Sequence, residues 1–246
     1  MASAQQILFL DVETVSQYSV FDGMDERGQG LWKHKIGFMA KRDDHVWTMD
    51  DFTKSYHEKA AIYAEFGKVI VISAGIITHT DDDVSTLRIK SFYGHDEKEV
   101  LEAFVFILNK NFSDPNTSVL CGHNIREFDI PYLCRRMTIH NIELPQLFNI
   151  SGKKPWEVKF ICDTLELWKF GDYKNYTSLD LLAYTLGIPS PKENLDGSKV
   201  GITYWEENDL EKIKAYCEKD VITVAQVYRR MQNQDLLTDE QVVITN

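Results

Sequence analysis

Residues 7–14, Ile-Leu-Phe-Leu-Asp-Val-Glu-Thr, join a short apolar run to two carboxylates. The apolar part is rich in strand-forming residues, so the stretch predicts a buried strand that ends in acidic side chains. Asp11 and Glu13 are two positions apart, and such side chains project from the same face of a strand. The first feature to explain is therefore a pair of carboxylates held close together.

Two carboxylates at this separation repel each other, and neither stays ionised in a dry site without a cation. Hard oxygen ligands of this kind suit Mg²⁺ or Mn²⁺. The alternative is an ordinary strand end at the protein surface, because a chain of this length is expected to contain roughly one D-x-E by chance. The pair needs support from elsewhere in the sequence.

The length and composition limit the possible classes of protein. The chain has 246 residues, a formal net charge of -11 and 43% hydrophobic residues. These values predict one folded domain over residues 1–246 and exclude wholesale disorder. No apolar run approaches the roughly 20 residues of a membrane span, and the first residues do not resemble a signal peptide. The acidity excludes a protein that coats nucleic acid through bulk charge, but not one that grips a strand end.

The four cysteines are widely spaced and form no C-x-x-C pair. This spacing argues against a disulfide framework or a zinc cluster and predicts a reducing, cytoplasmic location.

The hydrophobic pattern predicts an α/β fold, with a mixed five-stranded sheet flanked by helices and a helical insertion at about residues 15–66. Further strands are expected at about 68–77, 84–92, 118–122 and 160–163, and helices from about 96, from about 130, over 178–186 and over 208–231.

The predicted insertion is rich in aromatic residues. They could stack single-stranded bases, but a small helical unit needs the same side chains for its own core, which is the interpretation we favour. The residues are Trp32, Phe38, Trp47, Phe52, Tyr56, Tyr63 and Phe66.

A second acidic element, Gly-His-Asn-Ile-Arg-Glu-Phe-Asp-Ile-Pro-Tyr-Leu, occupies residues 122–133. Asp129 lies where a predicted strand passes into a helix with Pro131 in its first turn. A helix N-cap is the ordinary role for an Asp at such a position. Asp163 follows another predicted strand, and capping is the favoured role there.

A third element lies in the last long helix. Tyr216 and Asp220 are four residues apart, so they are stacked on one face beside the predicted buried stripe. A carboxylate beside a buried face is costly unless it is paired, capped or bound to metal. The alternative is a surface Asp next to a core Tyr.

Taken together, DVET at 11–14, GHNIREFDIPYL at 122–133 and YCEKD at 216–220 resemble the three motifs of the DEDD 3′–5′ exonuclease superfamily. The second and third motifs are similar to those of the proofreading exonuclease domain of family B DNA polymerases. Because Tyr216 precedes Asp220 by four residues, the sequence resembles the tyrosine branch. The resemblance implies a ribonuclease H-like fold.

The resemblance also implies a mechanism, in which two Mg²⁺ or Mn²⁺ ions hydrolyse a phosphodiester bond. Asp11 would contact both ions, Glu13 and Asp220 would complete the site of the nucleophilic water, and Asp129 would serve the second ion. Tyr216 would orient the attacking water. Its ordinary pKa near 10 suits a positioning role better than that of a base.

The expected substrate is the 3′ end of single-stranded DNA, and the alternatives are RNA trimming and an inactive nucleic-acid-binding module. Thr14, Asn124 and Phe128 are candidate substrate contacts, although Asn124 equally fits a turn and Phe128 a core position. Residues 121–175 carry a net charge of +1 in this acidic chain, and the strand is expected there. The length leaves no room for a polymerase module, so a proofreading role would be exerted in trans on a polymerase or repair complex.

Overall fold

The structure is a computed structural model that describes residues 6–40, 46–79, 84–172, 176–189 and 197–245. A six-stranded mixed sheet consists of β1 (Gln6–Ser16), β2 (Gly67–His79), β3 (Ser85–Tyr93), β4 (Ser118–Gly122), β5 (Ile161–Asp163) and β6 (Val242–Thr245). The order of the strands in the sheet is β5-β4-β1-β2-β3-β6. β1, β2 and β3 form an antiparallel meander, whereas β4 and β5 continue the sheet parallel to β1.

Eight helices flank this sheet within the described ranges. They are α1 (Glu26–Ala40), α2 (Met49–Lys59), α3 (Glu97–Asn111), α4 (Asp129–Ile139), α5 (Thr164–Lys169), α6 (Leu179–Thr185), α7 (Val200–Trp205) and α8 (Leu210–Met231). None of them is both long enough and apolar enough to cross a membrane.

The alternation of β1 separates two cores. Leu8 and Leu10 pack on the face covered by α3 and α4, where Leu101 and Leu133 are buried. Phe9 points to the opposite face and packs against α8. Asp11 and Glu13 have the same parity as Phe9, so the period of the strand directs both carboxylates toward the side of α8.

The predicted mixed α/β fold is confirmed, and the sheet has one strand more than the five expected. β6 pairs in parallel with β3, so Val242 lies opposite Leu87. A four-residue strand that pairs with a partner about 150 positions away leaves little local signal in the sequence. The short helix α7, of six residues, was not predicted either.

The helical insertion after the first strand is confirmed, but it begins later than expected. β1 continues to Ser16 because Val15 and Ser16 pair with Lys68 and Gly67. Six of the seven aromatic residues listed above build the core of the insertion, as favoured, whereas Phe38 is exposed. Trp32 and Tyr56 are fully buried, and the Trp32 indole donates a hydrogen bond to Ser55 Oγ at 3.1 Å.

A buried ion pair, Arg136 with Glu97, joins the insertion to the rest of the fold. The Arg136 Nε donates to Glu97 Oε1 at 2.8 Å, and its Nη1 donates to the carbonyl oxygen of Ala64 at 2.8 Å. Glu97 Oε1 also accepts the backbone N–H of Val69 at 2.7 Å. The Arg136–Glu97 pair thus connects α3, α4, β2 and the end of the insertion. Removing either partner of such a pair costs about 3–5 kcal/mol, because the other charge stays buried.

Gly67 lies where the insertion returns to the sheet, and a side chain does not fit there. A Cβ would lie 2.9 Å from the carbonyl oxygen of Val15 and 3.0 Å from that of Ala61. We expect Gly67→Ala to lower the free energy of unfolding by about 1–3 kcal/mol, because neither backbone group can move aside cheaply. Urea denaturation measures the change.

Gly30 in α1 is the matched control, since a Cβ there meets nothing within 4 Å. Gly30→Ala should raise the free energy of unfolding by up to about 1 kcal/mol, through helix propensity alone. Equal stabilities of the two variants would contradict this description of the junction.

Candidate active site

Asp11 and Glu13 lie on the part of β1 that is paired on one side with β2. Asp11 lies opposite Ser73, and Glu13 opposite Val71. The register then shifts, because Thr14 pairs with Val69 and Ile70 is left over as a bulge. Bulges bend a strand and re-aim its side chains, and they are frequent beside active sites. Asp11 and Glu13 therefore lie in the last regularly paired part of β1 before the bulge in β2.

Asp129 reaches the same region from the loop between β4 and α4. Asp129 is only 5% exposed and is thus about as buried as Glu13. This burial is inconsistent with a cap at the protein surface. Phe128 occupies the N-cap position of α4, and Asp129 is the first helical residue. The N-cap interpretation of Asp129 is therefore wrong, and its carboxylate is free to face Asp11.

Tyr216 and Asp220 reach the site from α8, which packs on the Asp11 side of β1. The two side chains are hydrogen-bonded to each other, which only partly offsets the effects of burial and of Asp11 that raise the pKa of Asp220. Burial, and then the charges of Asp220, Glu13 and Asp11, raise the pKa of Tyr216. The four carboxylates thus interact electrostatically with one another, and Tyr216 interacts with Asp11, Glu13 and Asp220.

The carboxylates perturb one another strongly. Burial and then the charge of Asp129 raise the pKa of Asp11 to about 7. Burial, followed by the charge of Asp163, raises the pKa of Asp129 to about 7. The pKa of Asp220 rises to about 8, through burial and then Asp11. Burial and the other three carboxylates place the pKa of Glu13 well above its ordinary value.

Within the described ranges, none of the four carboxylates forms an ion pair with a Lys, Arg or His, whereas Glu97 and Glu218 elsewhere do. Four hard oxygen ligands that repel one another are a donor set that fits divalent cations such as Mg²⁺ or Mn²⁺. Asp11, Glu13, Asp129 and Asp220 are the residues that could hold them.

The thiol of Cys217 is a member of this site that the sequence analysis missed. Its Sγ donates toward Asp11 Oδ2 at 3.2 Å and lies 3.4 Å from the Asp11 carbonyl oxygen. Burial, and then the neighbouring charges of Asp11 and Glu13, raise the pKa of this thiol well above its ordinary value. The group therefore stays protonated. Its position next to Tyr216 in the buried stripe was the available signal.

Asp163 fixes the loop that carries Asp129. Its predicted capping role is confirmed, because Oδ1 accepts the backbone N–H of Leu165 at 2.9 Å at the start of α5. The same carboxylate also accepts the N–H groups of Asn124 at 2.9 Å and Arg126 at 3.1 Å. One buried side chain thus holds both a helix start and the approach to Asp129.

The three candidate substrate contacts have structural partners of their own. The hydroxyl of Thr14 donates to the carbonyl oxygen of Ala61 at 2.9 Å. Asn124 has a positive φ of 60°, so it occupies the turn position that the sequence also suggested. The ring of half-buried Phe128 packs at 5.3 Å from that of Tyr132. Contact of these three residues with a substrate stays a prediction.

Comparisons with known proteins identify the family and the fold. A family model described as a predicted 3′–5′ exonuclease related to the exonuclease domain of PolB matches residues 61–243. Among solved structures, the chain is similar to the family B DNA polymerase from the hyperthermophilic archaeon Pyrobaculum calidifontis, with a TM-score of 0.52 and 16% identity. That similarity covers 91% of this chain and 24% of the polymerase chain. No curated protein matches.

The first two findings confirm the resemblance to the exonuclease domain of family B polymerases and the ribonuclease H-like fold.

The raised pKa values predict how the metal-free protein responds to pH. A carboxyl group whose pKa is higher in the folded protein stabilises the fold at low pH, and this contribution is lost as pH rises through the folded pKa of about 7–8. With a chelator present, Asp220→Asn should therefore raise the free energy of unfolding at pH 8.5, by on the order of 1 kcal/mol, and much less at pH 5.

Urea denaturation of both proteins at the two pH values measures this difference. A gain of the same size at pH 5 and pH 8.5 would show that repulsion within the cluster is not its source.

Proposed function

The chain belongs to the family of predicted 3′–5′ exonucleases related to the exonuclease domain of PolB, and on that premise we propose that it removes nucleotides from single-stranded DNA 3′ ends by two-metal-ion hydrolysis. The observation that carries the proposal is the convergence of Asp11, Glu13, Asp129 and Asp220, from three separate segments, on one site without a basic partner in the described part of the chain.

The proposed metal site follows from the donor chemistry. Asp11, Glu13, Asp129 and Asp220 would hold two divalent ions, Mg²⁺ or Mn²⁺. When bound, such ions activate a water molecule and stabilise the charges that develop on the attacking and leaving oxygens. The carboxylates give up protons when they bind a cation.

Tyr216 is the proposed positioning group for the attacking water. Burial, and then the charges of Asp220, Glu13 and Asp11, raise its pKa above the ordinary value. The hydroxyl therefore remains protonated at neutral pH and cannot serve as a base. Its hydrogen bond to Asp220 leaves the oxygen lone pairs available to orient a water molecule.

DNA is the proposed polymer because the solved structure to which the chain is similar is a DNA polymerase. The chain spans about a quarter of that polymerase. Action in trans on the 3′ ends of a polymerase or repair complex is a further part of the proposal. The cysteines of the chain are free thiols, which supports the further proposal of a reducing cytoplasmic location.

A direct test uses 5′-labelled single-stranded DNA and RNA of the same sequence, with Mg²⁺, with Mn²⁺ and with EDTA. We expect a ladder that shortens from the 3′ end of DNA in the presence of either metal, and none with EDTA. A ladder on RNA alone would favour the RNA-trimming alternative. Binding of the strand without cleavage, whatever the metal, would favour the inactive module.

Asp11→Ala should reduce the cleavage rate by about 10³-fold, because the carboxylate organises a charge stabilisation worth several kcal/mol. The matched control is Asp50→Ala, an exposed carboxylate in the first turn of α2. It should cleave at the wild-type rate. Turnover by the Asp11→Ala variant at the rate of this control would refute the metal-dependent mechanism.

Tyr216→Phe removes the hydroxyl but keeps the ring. We expect kcat to fall by roughly 10²-fold, with Mn²⁺ affinity within about twofold of wild type, because the hydroxyl positions water and holds no ion. Rapid-quench kinetics and calorimetric titration with Mn²⁺ measure the two quantities. A weakened Mn²⁺ affinity with unchanged kcat would assign the tyrosine to the metal site instead.

A further inference from the structure

A buried run of polar side chains leads from Asp11 across the sheet to α8. Ser73 is the cross-strand partner of Asp11, and its hydroxyl lies 2.9 Å from that of Ser91 on β3. The Ser91 hydroxyl donates to Glu218 Oε1 at 2.7 Å. Ser73 is fully buried, and Glu218 is 4% exposed.

The Ser73 hydroxyl has two side-chain neighbours, the hydroxyl of Ser91 and the thiol of Cys217. Each serine hydroxyl has one hydrogen to give. Because Ser91 gives its hydrogen to Glu218, its oxygen accepts the hydrogen of Ser73. The Ser73 oxygen and the Asp11 carboxylate are then the two side-chain acceptors beside the thiol of Cys217.

The thiol of Cys217 is fully buried, and its Sγ lies 3.2 Å from Asp11 Oδ2. A carboxylate is a stronger acceptor than a hydroxyl or a carbonyl oxygen. The single thiol hydrogen is therefore directed to Oδ2.

We propose, as an extension that rests on the proposed function, that Cys217 is a positioning residue that holds the Asp11 carboxylate in the orientation required for metal binding. Its hydrogen bond fixes the rotation of the carboxylate group about the Cβ–Cγ bond. The thiol also occupies one lone pair of Oδ2, which leaves the other lone pairs of Asp11 for cations. Mutation of a side chain that hydrogen-bonds to a metal ligand typically lowers metal affinity or activity by about 10–100-fold.

The competing role for Cys217 is that of a metal ligand. The ligand atoms of Asp11, Glu13 and Cys217 lie within 4.8 Å of one another. The sulfur, however, is packed against the backbone oxygen of Asp11 at 3.4 Å. A thiolate is also a soft ligand that suits zinc better than the ions favoured by a carboxylate set. The geometry thus favours a donor over a ligand.

The test compares Cys217→Ala, which removes the donor, with Cys217→Ser, which restores one. Mn²⁺ affinity is measured by calorimetry without nucleic acid, and kcat and KM are measured on the labelled strand. We expect Cys217→Ala to weaken Mn²⁺ binding and lower kcat by about tenfold each, with KM within about twofold of wild type. Cys217→Ser should recover both quantities to within about threefold of wild type.

Cys134→Ala is the control, because this cysteine donates to the carbonyl oxygen of Phe148 at 3.2 Å in the core between α3 and α4. It should change neither quantity. Thermal melting of all variants reports any loss of folding. Wild-type Mn²⁺ affinity in Cys217→Ala, or no recovery in a folded Cys217→Ser, would overturn the positioning role.

Titration with Co²⁺ separates the two roles of the sulfur. The positioning role predicts no thiolate-to-metal charge-transfer absorption in the wild-type protein. Such a band, lost in both Cys217 variants, would overturn it in favour of a ligand. A wild-type protein that binds Mn²⁺ in a Cys217-dependent manner but cleaves no strand would refute the proposed exonuclease function alone. Failure to bind Mn²⁺ at all would refute both proposals.

Discussion

Repulsion among four carboxylates is the constraint around which the structure is organised. Asp11, Glu13, Asp129 and Asp220 raise one another's pKa values because they share a partly buried site without a cation from the described chain. Left to themselves, flexible segments would move apart to relieve this repulsion. The backbone that carries these side chains must therefore be fixed by interactions outside the cluster.

Two of the three segments that carry the carboxylates are fixed by contacts outside the cluster. The register of β1 with β2 holds Asp11 and Glu13, and it shifts at the bulge that follows Glu13. Asp163 accepts backbone N–H groups on both sides of Ile125 and so holds the loop before Asp129. Farther along α4, Arg136 is clamped to Glu97 and to the insertion. These contacts outside the cluster thereby hold the like charges close together.

The local parts of this arrangement were readable from the sequence. Asp11 and Glu13 are two residues apart, which places them on one face of a strand whatever the fold. Tyr216 and Asp220 are four residues apart, which places them on one face of a helix. The strand-to-helix junction at Asp129 was also predicted, but local preference favoured a cap. Tertiary context decided otherwise, because Asp163 anchors the loop and leaves Asp129 inside the first turn of α4.

The parts of the structure that depend on contacts between residues far apart in the chain could not be predicted from the sequence. The Arg136–Glu97 ion pair joins residues 39 positions apart, and a charged pair in a core has no periodic signature. β6 depends on an edge of β3 that the sequence does not specify. Cys217 is next to Tyr216 in the chain, but its contact with Asp11 spans 206 positions.

The same repulsion explains why a tyrosine suits the water-positioning role. A histidine has an ordinary pKa near 6.5 and would gain a proton in so negative a site at neutral pH. It would then pair with the carboxylates in place of a cation. The Tyr216 hydroxyl cannot become positive, and the surrounding charges raise its pKa further from neutrality. Its hydrogen-bonding role is thus independent of pH over the range in which the carboxylates titrate, so only the carboxylates exchange protons for cations.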